Sequence, residues 1–191
     1  AKTLSAAITY LALRQGDATG LVTFEESVTS ELPPRSHSSH LFEILSRLAR
    51  TEPGKDTAIS NCIERFAQTR RKRTIAILIT DLLDPNPEIP TLFRQLVACR
   101  HEVALLHLLD PAEIDFPYEN PSQFHSMEDQ RQLFIHPRIL KSAYQKEMQR
   151  FLKRTQESLT TAGVDYHLIR TDMAPKDALA SFLRSRSAKV F

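Results

Sequence analysis

Asp110, Glu113 and Asp115 crowd together just after an apolar run in the middle of the chain. Carboxylates gathered at a strand end can serve as general acid and base. One chemistry open to this chain is therefore that of a metal-dependent hydrolase or phosphoryl-transfer enzyme. Two prolines, Pro111 and Pro117, frame the same segment and favour a structural turn. His37 and His40 have a spacing that zinc tolerates, yet no cysteine or acid accompanies them where a helix opens. His107 stands inside an apolar run and reads as a hydrogen-bonded core histidine rather than a base. The dense basic run Arg70-Arg71-Lys72-Arg73 follows a predicted helix end. Cations favour that end of the helix dipole, so the run reads as a solvated cap and not as a nucleic-acid patch. Cys62 and Cys99 fall on apolar faces of predicted helices and read as buried free thiols of a reducing, cytoplasmic compartment. No matched nucleophile and base emerges, which weighs against an enzyme.

Glycine is scarce. Gly16, Gly20, Gly54 and Gly163 are scattered singly, so no phosphate-cradling loop can be assembled and the common nucleotide chemistries are excluded. The 191 residues are 41% hydrophobic and 25% charged, which is globular composition with enough chain for a core. A net charge of +2 gives no field for nucleic acid or a membrane surface. No apolar run approaches the roughly 20 residues that span a bilayer, and the first residues lack the pattern of a signal peptide.

The elements that must position these residues alternate. Leu4, Ala7, Ile8 and Leu11 mark a helix ending near Gly16. Strands are expected at 21–24 and 27–32, the second halted by Pro33-Pro34. A helix capped by Ser38 or Ser39 carries Leu41, Phe42, Leu45 and Leu48 on one side. The next begins near Thr57 and turns Ile59, Cys62, Ile63 and Phe66 inward. The run at 74–79 lacks alternation, as a parallel strand covered on both faces would, and it ends in Thr80-Asp81. A helix near Pro90, with Leu92, Phe93, Leu96 and Val97, leads to a buried strand at 103–109. Residues 110–136 form a hairpin-containing insertion around Phe124 and Leu133-Phe134-Ile135. A long helix over 137–162 carries a stripe of Leu140, Tyr144, Met148, Phe151 and Thr155, and Gly163 ends it. An edge strand near 164–169 and a last helix from Pro175, with Leu179, Phe182 and Leu183, complete the series. The class is α/β: a three-layer, mostly parallel sheet with helices on both faces, forming a single domain over 1–191. Sites in such sheets form beyond the carboxyl ends of the strands, where Asp81 falls.

Phrases spread along the chain carry a resemblance. They are Arg14-Gln15-Gly16-Asp17 with Gly20-Leu21-Val22-Thr23-Phe24, Leu32-Pro33-Pro34-Arg35, and Glu52-Pro53-Gly54 with Thr57. Further on stand Ile79-Thr80-Asp81-Leu82-Leu83-Asp84, His101-Glu102-Val103 with His107, and Asp110-Pro111-Ala112-Glu113-Ile114-Asp115-Phe116-Pro117. Together they resemble the bacterial family called domain of unknown function 58, whose members have a von Willebrand factor A-like, Rossmann-like fold. The resemblance implies a metal-ion-dependent adhesion site, in which oxygen ligands from three loops hold a divalent cation. The second loop matches at Thr57, with Ala58 where an Asp often follows, and the third matches at Asp81. The first loop, Asp-x-Ser-x-Ser, is absent. One hydroxyl and one carboxylate make an incomplete, unoccupied site, so no cofactor is expected in this chain, whereas Mg²⁺ is implied for a full-length protein.

The same resemblance places the first, central strand of the fold upstream of Ala1, between the strands at 21–24 and 75–80. Leaving that place empty would strand the peptide groups on both sides without partners. Either the two strands close up and pair, or a segment of another copy enters and gives a homo-oligomer by strand complementation. The oligomer is favoured, because closure would misalign the helices. The function implied is a non-enzymatic protein–protein interaction domain, serving as adaptor or assembly factor with a MoxR-type AAA+ ATPase.

Overall fold

Small and apolar residues at helical spacing give the chain its first element, α1 (Lys2–Arg14), which buries Leu4 and Thr9. The structure, a computed structural model, describes residues 1–25, 27–52, 59–69, 72–84, 86–125 and 132–187. They belong to two compact units. The first comprises 1–71, 82–86 and 173–191, and the second 72–81 and 87–172.

In the first unit, β1 (Thr19–Phe24) pairs antiparallel with β2 (Val28–Arg35). β2 continues through Pro33 and Pro34, where the sequence suggested a stop. Among the described residues its one partner is β1, which makes it an edge strand, so the missing proline donors break no second ladder. Thr19 stands opposite Arg35 and Leu21 opposite Leu32, so β2 accommodates one extra residue in a bulge at the prolines. Gly20 lies against that bulge: a Cβ there would stand 2.7 Å from the Leu32 carbonyl oxygen. α2 (Ser39–Arg50) opens at Ser38 without a side-chain cap. Its buried face is His40, Ile44 and Leu48, and Phe42 is 75% exposed, which corrects the stripe of Leu41, Phe42, Leu45 and Leu48. Leu32, Ile44 and Leu48 form the core here, with Ala6 and Leu21 packed against it. α3 (Ile59–Thr69) buries Ile59, Cys62 and Ile63 as its spacing requires, and Thr57 lies outside the described residues.

The second unit holds the parallel sheet. β3 (Ile75–Thr80) is followed by α4 (Ile89–Ala98), which starts at a proline and buries Ile89, Leu92, Phe93 and Leu96. β4 (Glu102–Leu109) runs parallel to β3, with Ile75 opposite Glu102 and Thr80 opposite His107. Next come α5 (Pro111–Asp115), the hairpin of β5 (Ser122–His125) with β6 (Gln132–Ile135), and α6 (Pro137–Thr161). Gly163, at φ +85°, stops α6. The N–H groups of Gly163 and Val164 return to the Thr160 and Leu159 carbonyls at 3.0 and 2.9 Å. β7 (Asp165–Arg170) then pairs parallel with the far side of β4, Ala104 opposite Asp165, giving the order β3-β4-β7. The sheet is flanked by helices, α4 against β4 and α6 against β7. α7 (Pro175–Ser187) returns to the first unit, where it packs on α1 and buries Ala178 and Phe182 but leaves Leu183 exposed.

β4 is buried almost throughout, as a central parallel strand should be. β3 is not: Ile75 is 53% exposed and its other residues are half-buried, against the expectation of cover on both faces. Among the described residues β3 pairs with β4 alone and β1 with β2 alone.

The bulge predicts a cost for any side chain at position 20. Gly20→Ala is expected to destabilise the chain by about 1–3 kcal/mol, because backbone rather than a flexible side chain must give way. The midpoint of urea unfolding measures it, and an unchanged midpoint would show that the hairpin adapts freely.

Candidate functional site

At the carboxyl ends of the parallel strands lie His107, Asp81 and the acids of 110–115. His107, on β4, is wholly buried. Its Nε2 is 2.8 Å from the Asp81 carbonyl oxygen and its Nδ1 is 2.8 Å from the Tyr166 hydroxyl. A carbonyl can only accept, so Nε2 carries the proton; Nδ1 accepts from Tyr166. Burial pushes the His107 pKa below its ordinary value, and its contacts with Asp81 oppose that shift only in part. Burial also pushes the Tyr166 phenol up to about 12, so it stays a donor. The neutral imidazole thus ties the exit of β3 to β7 through β4, and the reading of His107 as a hydrogen-bonded core residue holds.

Asp81 itself is exposed, and its Oδ1 accepts from Thr80 Oγ1 at 3.4 Å. Leu82 follows at φ +57°, a left-handed turn that leads the chain off the strand.

The acids of 110–115 are engaged one by one. Asp110 caps α5: its Oδ1 accepts from the Ala112 N–H at 2.8 Å, while Glu113 Oε1 accepts from the Asp110 N–H at 3.3 Å. The other Asp110 oxygen accepts from Thr171 Oγ1 at 2.9 Å. Asp115 pairs with Arg170 at 3.0 Å, and Arg170 grips Asp172 through two bonds of 3.2 and 3.1 Å. Those bonds with Arg170 hold the Asp172 carboxyl below its usual range. Phe116 closes the helix at φ +45° and buries its ring against Tyr118, Phe124 and Tyr144, whose hydroxyl donates to the Glu113 carbonyl at 2.8 Å. The segment is a structural corner of the second unit. Tyr166, Arg170 and Thr171 were not singled out in the sequence. The signal for Arg170 was there: three acids after one strand end call for a cation at the end of a neighbouring parallel strand, and Leu109 stands opposite Arg170.

Elsewhere the structure corrects two expectations. His40 does have an acidic companion: its Nδ1 lies 2.9 Å from Glu43 Oε2, one helical turn on. His37 instead meets Ser39 Oγ at 2.8 Å. Both cysteines are free, but only Cys62 is buried, its thiol pushed up to about 11 by that burial; Cys99 is exposed at the end of α4. Arg70 and Arg71 lie outside the described residues, and Arg73 pairs with Glu102 at 2.7 Å.

A hard divalent cation needs about six oxygen ligands. Among the described residues no group of three or more His, Cys, Asp or Glu side chains could hold a metal ion, and Asp81 supplies one carboxylate. Thr57, the other residue that the resemblance assigns to the adhesion site, lies outside the described residues.

A parallel sheet flanked by helices, with polar residues collected beyond its carboxyl ends, defines an α/β domain of the von Willebrand factor A-like kind. The chain belongs to the family described as "Protein of unknown function DUF58", whose model matches residues 1–155. Uncharacterized proteins of Mycobacterium tuberculosis and Mycobacterium bovis are each 27% identical over 116 residues, covering 59% of this chain and 36% of their own length. The chain thus spans about a third of the length of these curated relatives. Two solved structures share the fold. Conserved hypothetical protein BatB from Bacteroides thetaiotaomicron has a TM-score of 0.57 at 15% identity, covering 98% of this chain and 88% of that one. An aerotolerance-related membrane protein from Bacteroides fragilis, with multiple mutations to serines, has 0.59 at 18% identity, covering 97% and 84%. At such identities the likeness is one of fold alone. No helix among the described residues is long and apolar enough to cross a membrane.

Two measurements follow from this geometry. Calorimetric titration of the 191-residue chain with Mg²⁺ or Mn²⁺ is expected to show no micromolar binding; micromolar affinity abolished by Asp81→Ala would reverse that. His107 is held neutral, its folded pKa below its unfolded one, so as pH falls the unfolded chain takes up this proton first. The stabilisation is complete above about pH 6.5 and is lost as pH falls below it towards the folded value. Melting temperature is therefore expected to drop across that window less steeply in His107→Gln than in the parent; equal slopes would assign the pH dependence to other groups.

Proposed function

We propose that this chain is a non-enzymatic protein–protein interaction domain of the cytoplasm, acting as adaptor or assembly factor for a MoxR-type AAA+ ATPase. The observation that carries the reading is a set of large apolar side chains left in solvent within residues 133–140. Leu133 and Phe134 are 62% and 64% exposed on β6, and Ile139 is 76% exposed in the first turn of α6. Adjacent residues of a strand point to opposite faces, so the β5–β6 hairpin shows an apolar side chain on each of its sides. Phe124, opposite Leu133, anchors the other strand against Phe116 and Tyr118. A hairpin fastened by one strand and bare on the other suits a partner that covers it. Arg138 is exposed in the same stretch, and no acid occurs in 132–141, which suits a partner whose apolar surface is rimmed by acids.

Retention on the immobilised chain from a lysate that contains the ATPase tests this. The wild-type chain is expected to hold the ATPase, and Phe134→Ser with Ile139→Ser to lose it without a change in circular dichroism. A wild-type chain that retains no ATPase overturns the adaptor reading. Equal retention by the double variant overturns the assignment to the hairpin.

A further inference from the structure

The first turn of α2 holds a buried imidazole with one nitrogen satisfied and one not. His40 has no exposed side-chain surface, and its Nδ1 lies 2.9 Å from Glu43 Oε2. A carboxylate can only accept, so Nδ1 carries the proton and Nε2 presents a lone pair. That Nε2 is buried and has no hydrogen-bond partner among the described residues. Buried polar atoms without partners are rare in folded proteins and call for an explanation. His37 stands beside it. The His40 N–H donates to the His37 carbonyl at 3.0 Å, and in such an i to i+3 turn the two side chains stand one above the other. Their ring centroids are 5.6 Å apart, with the planes inclined at 68°. The two nitrogens of an imidazole point to nearly opposite sides of the ring. With Nδ1 on Glu43, one turn further along the helix, Nε2 faces back towards the start of α2, where His37 stands. His37 is exposed and rests on Ser39 Oγ through its Nδ1 at 2.8 Å, which leaves its Nε2 for another partner.

We infer that His37 and His40 form a binding site for a divalent transition metal of the Zn²⁺ class, with Nε2 of each ring as a ligand. Zn²⁺ takes an imidazole nitrogen at about 2.0–2.1 Å. Two rings on one tetrahedral ion then have centroids roughly 5 Å apart, close to the separation found. A small turn of His37, the exposed member, closes the difference and opens the way to His40. Glu43 is the positioning residue. A metal-ligating histidine commonly gives its other N–H to a carboxylate, which fixes both the tautomer and the ring. Arg35 shares the same Glu43 oxygen at 3.5 Å, and together with the positive end of the α2 dipole it opposes a cation here. Two protein nitrogens are also fewer than the three or four side chains of a catalytic or structural zinc centre, so water completes the shell. The site is therefore one of weak, exchangeable binding. It differs in chemistry from Asp81, whose carboxylate suits a hard cation such as Mg²⁺. It belongs to the first unit, and its test does not depend on the β5–β6 hairpin.

Calorimetric titration of the tag-free 191-residue chain with ZnCl₂ is expected to show one ion bound at about 1–100 µM, unaffected by millimolar Mg²⁺. His37→Ala, a change at an exposed side chain, is expected to weaken binding about tenfold or more and to leave the metal-free melting temperature in place. Glu43→Gln keeps both imidazoles and is expected to weaken binding about tenfold, through the orientation of His40 alone. Cys99→Ser is expected to have no effect. Ring-nitrogen NMR localises the ion: the Nε2 resonances of His37 and His40 are expected to shift on addition of Zn²⁺, and those of His101 and His107 to stay. No binding up to about 1 mM Zn²⁺ overturns the proposal and assigns the His40 lone pair to a buried water. Binding that survives His37→Ala unchanged, or is lost with Cys99→Ser, overturns it by placing the ion elsewhere. A response at His37 without one at His40 overturns the pairing. Binding weakened by His37→Ala but indifferent to Glu43→Gln overturns the positioning role.

Discussion

A single buried imidazole determines how the carboxyl end of the parallel sheet is arranged. His107 has no water to fall back on, so both its nitrogens must be satisfied within the fold. The Asp81 carbonyl fixes the proton on Nε2, and Tyr166 then has to donate to Nδ1. Each constraint implies the next. The tautomer follows from the carbonyl, the direction of the phenol follows from the tautomer, and the relative height of three strand ends follows from both. Phe151 of α6 completes the surroundings with its ring centroid 6.1 Å from that of His107. Loss of the imidazole would leave a carbonyl and a phenol without their partner in a low-dielectric place, at about 1–3 kcal/mol for each buried group.

The corner at 110–116 answers to the same logic with charges in place of neutral groups. Asp110 is held at the start of α5 by the Ala112 N–H and a threonine hydroxyl on its carboxylate and by its own N–H donating to Glu113, and Asp115 is held at the other end by an arginine. These carboxylates are fixed by what they brace: a short helix of five residues that could not persist alone. The left-handed Phe116 then turns its ring into the aromatic group that anchors β5. The hairpin is thus presented from a rigid base, although its outer strand buries little of its own surface.

Much of the architecture was legible in the sequence, because hydrophobic periods report burial directly. The uncharged β3 run, the buried β4 run, Gly163 after the long helix and the prolines at helix starts all sit where their chemistry demands. The misreadings have identifiable causes. In α2 the buried stripe runs through His40, a residue that a count of apolar side chains passes over, so Phe42 and Leu45 were turned inward in its place. Pro33 and Pro34 looked like a stop, but a proline ends a strand only when its missing donor is needed, and an edge with a bulge does not need it. Of the candidate site, His107 and the structural corner could be read locally. Tyr166 and Arg170 could not, because each acts across strands that lie roughly sixty positions apart in sequence.

The cover expected on β3 failed for a reason that the composition of the strand itself exposes. A run of isoleucine and leucine without alternation is the signature of a strand with neighbours on both edges and helices on both faces. β4 has the strands and the burial, and its sequence matches. β3 has the sequence with, among the described residues, one strand neighbour, and its side chains remain half in solvent. Edge strands that function as edges carry the marks of it, as β7 does with its aspartate, histidine and arginine. β3 is therefore built as an interior strand.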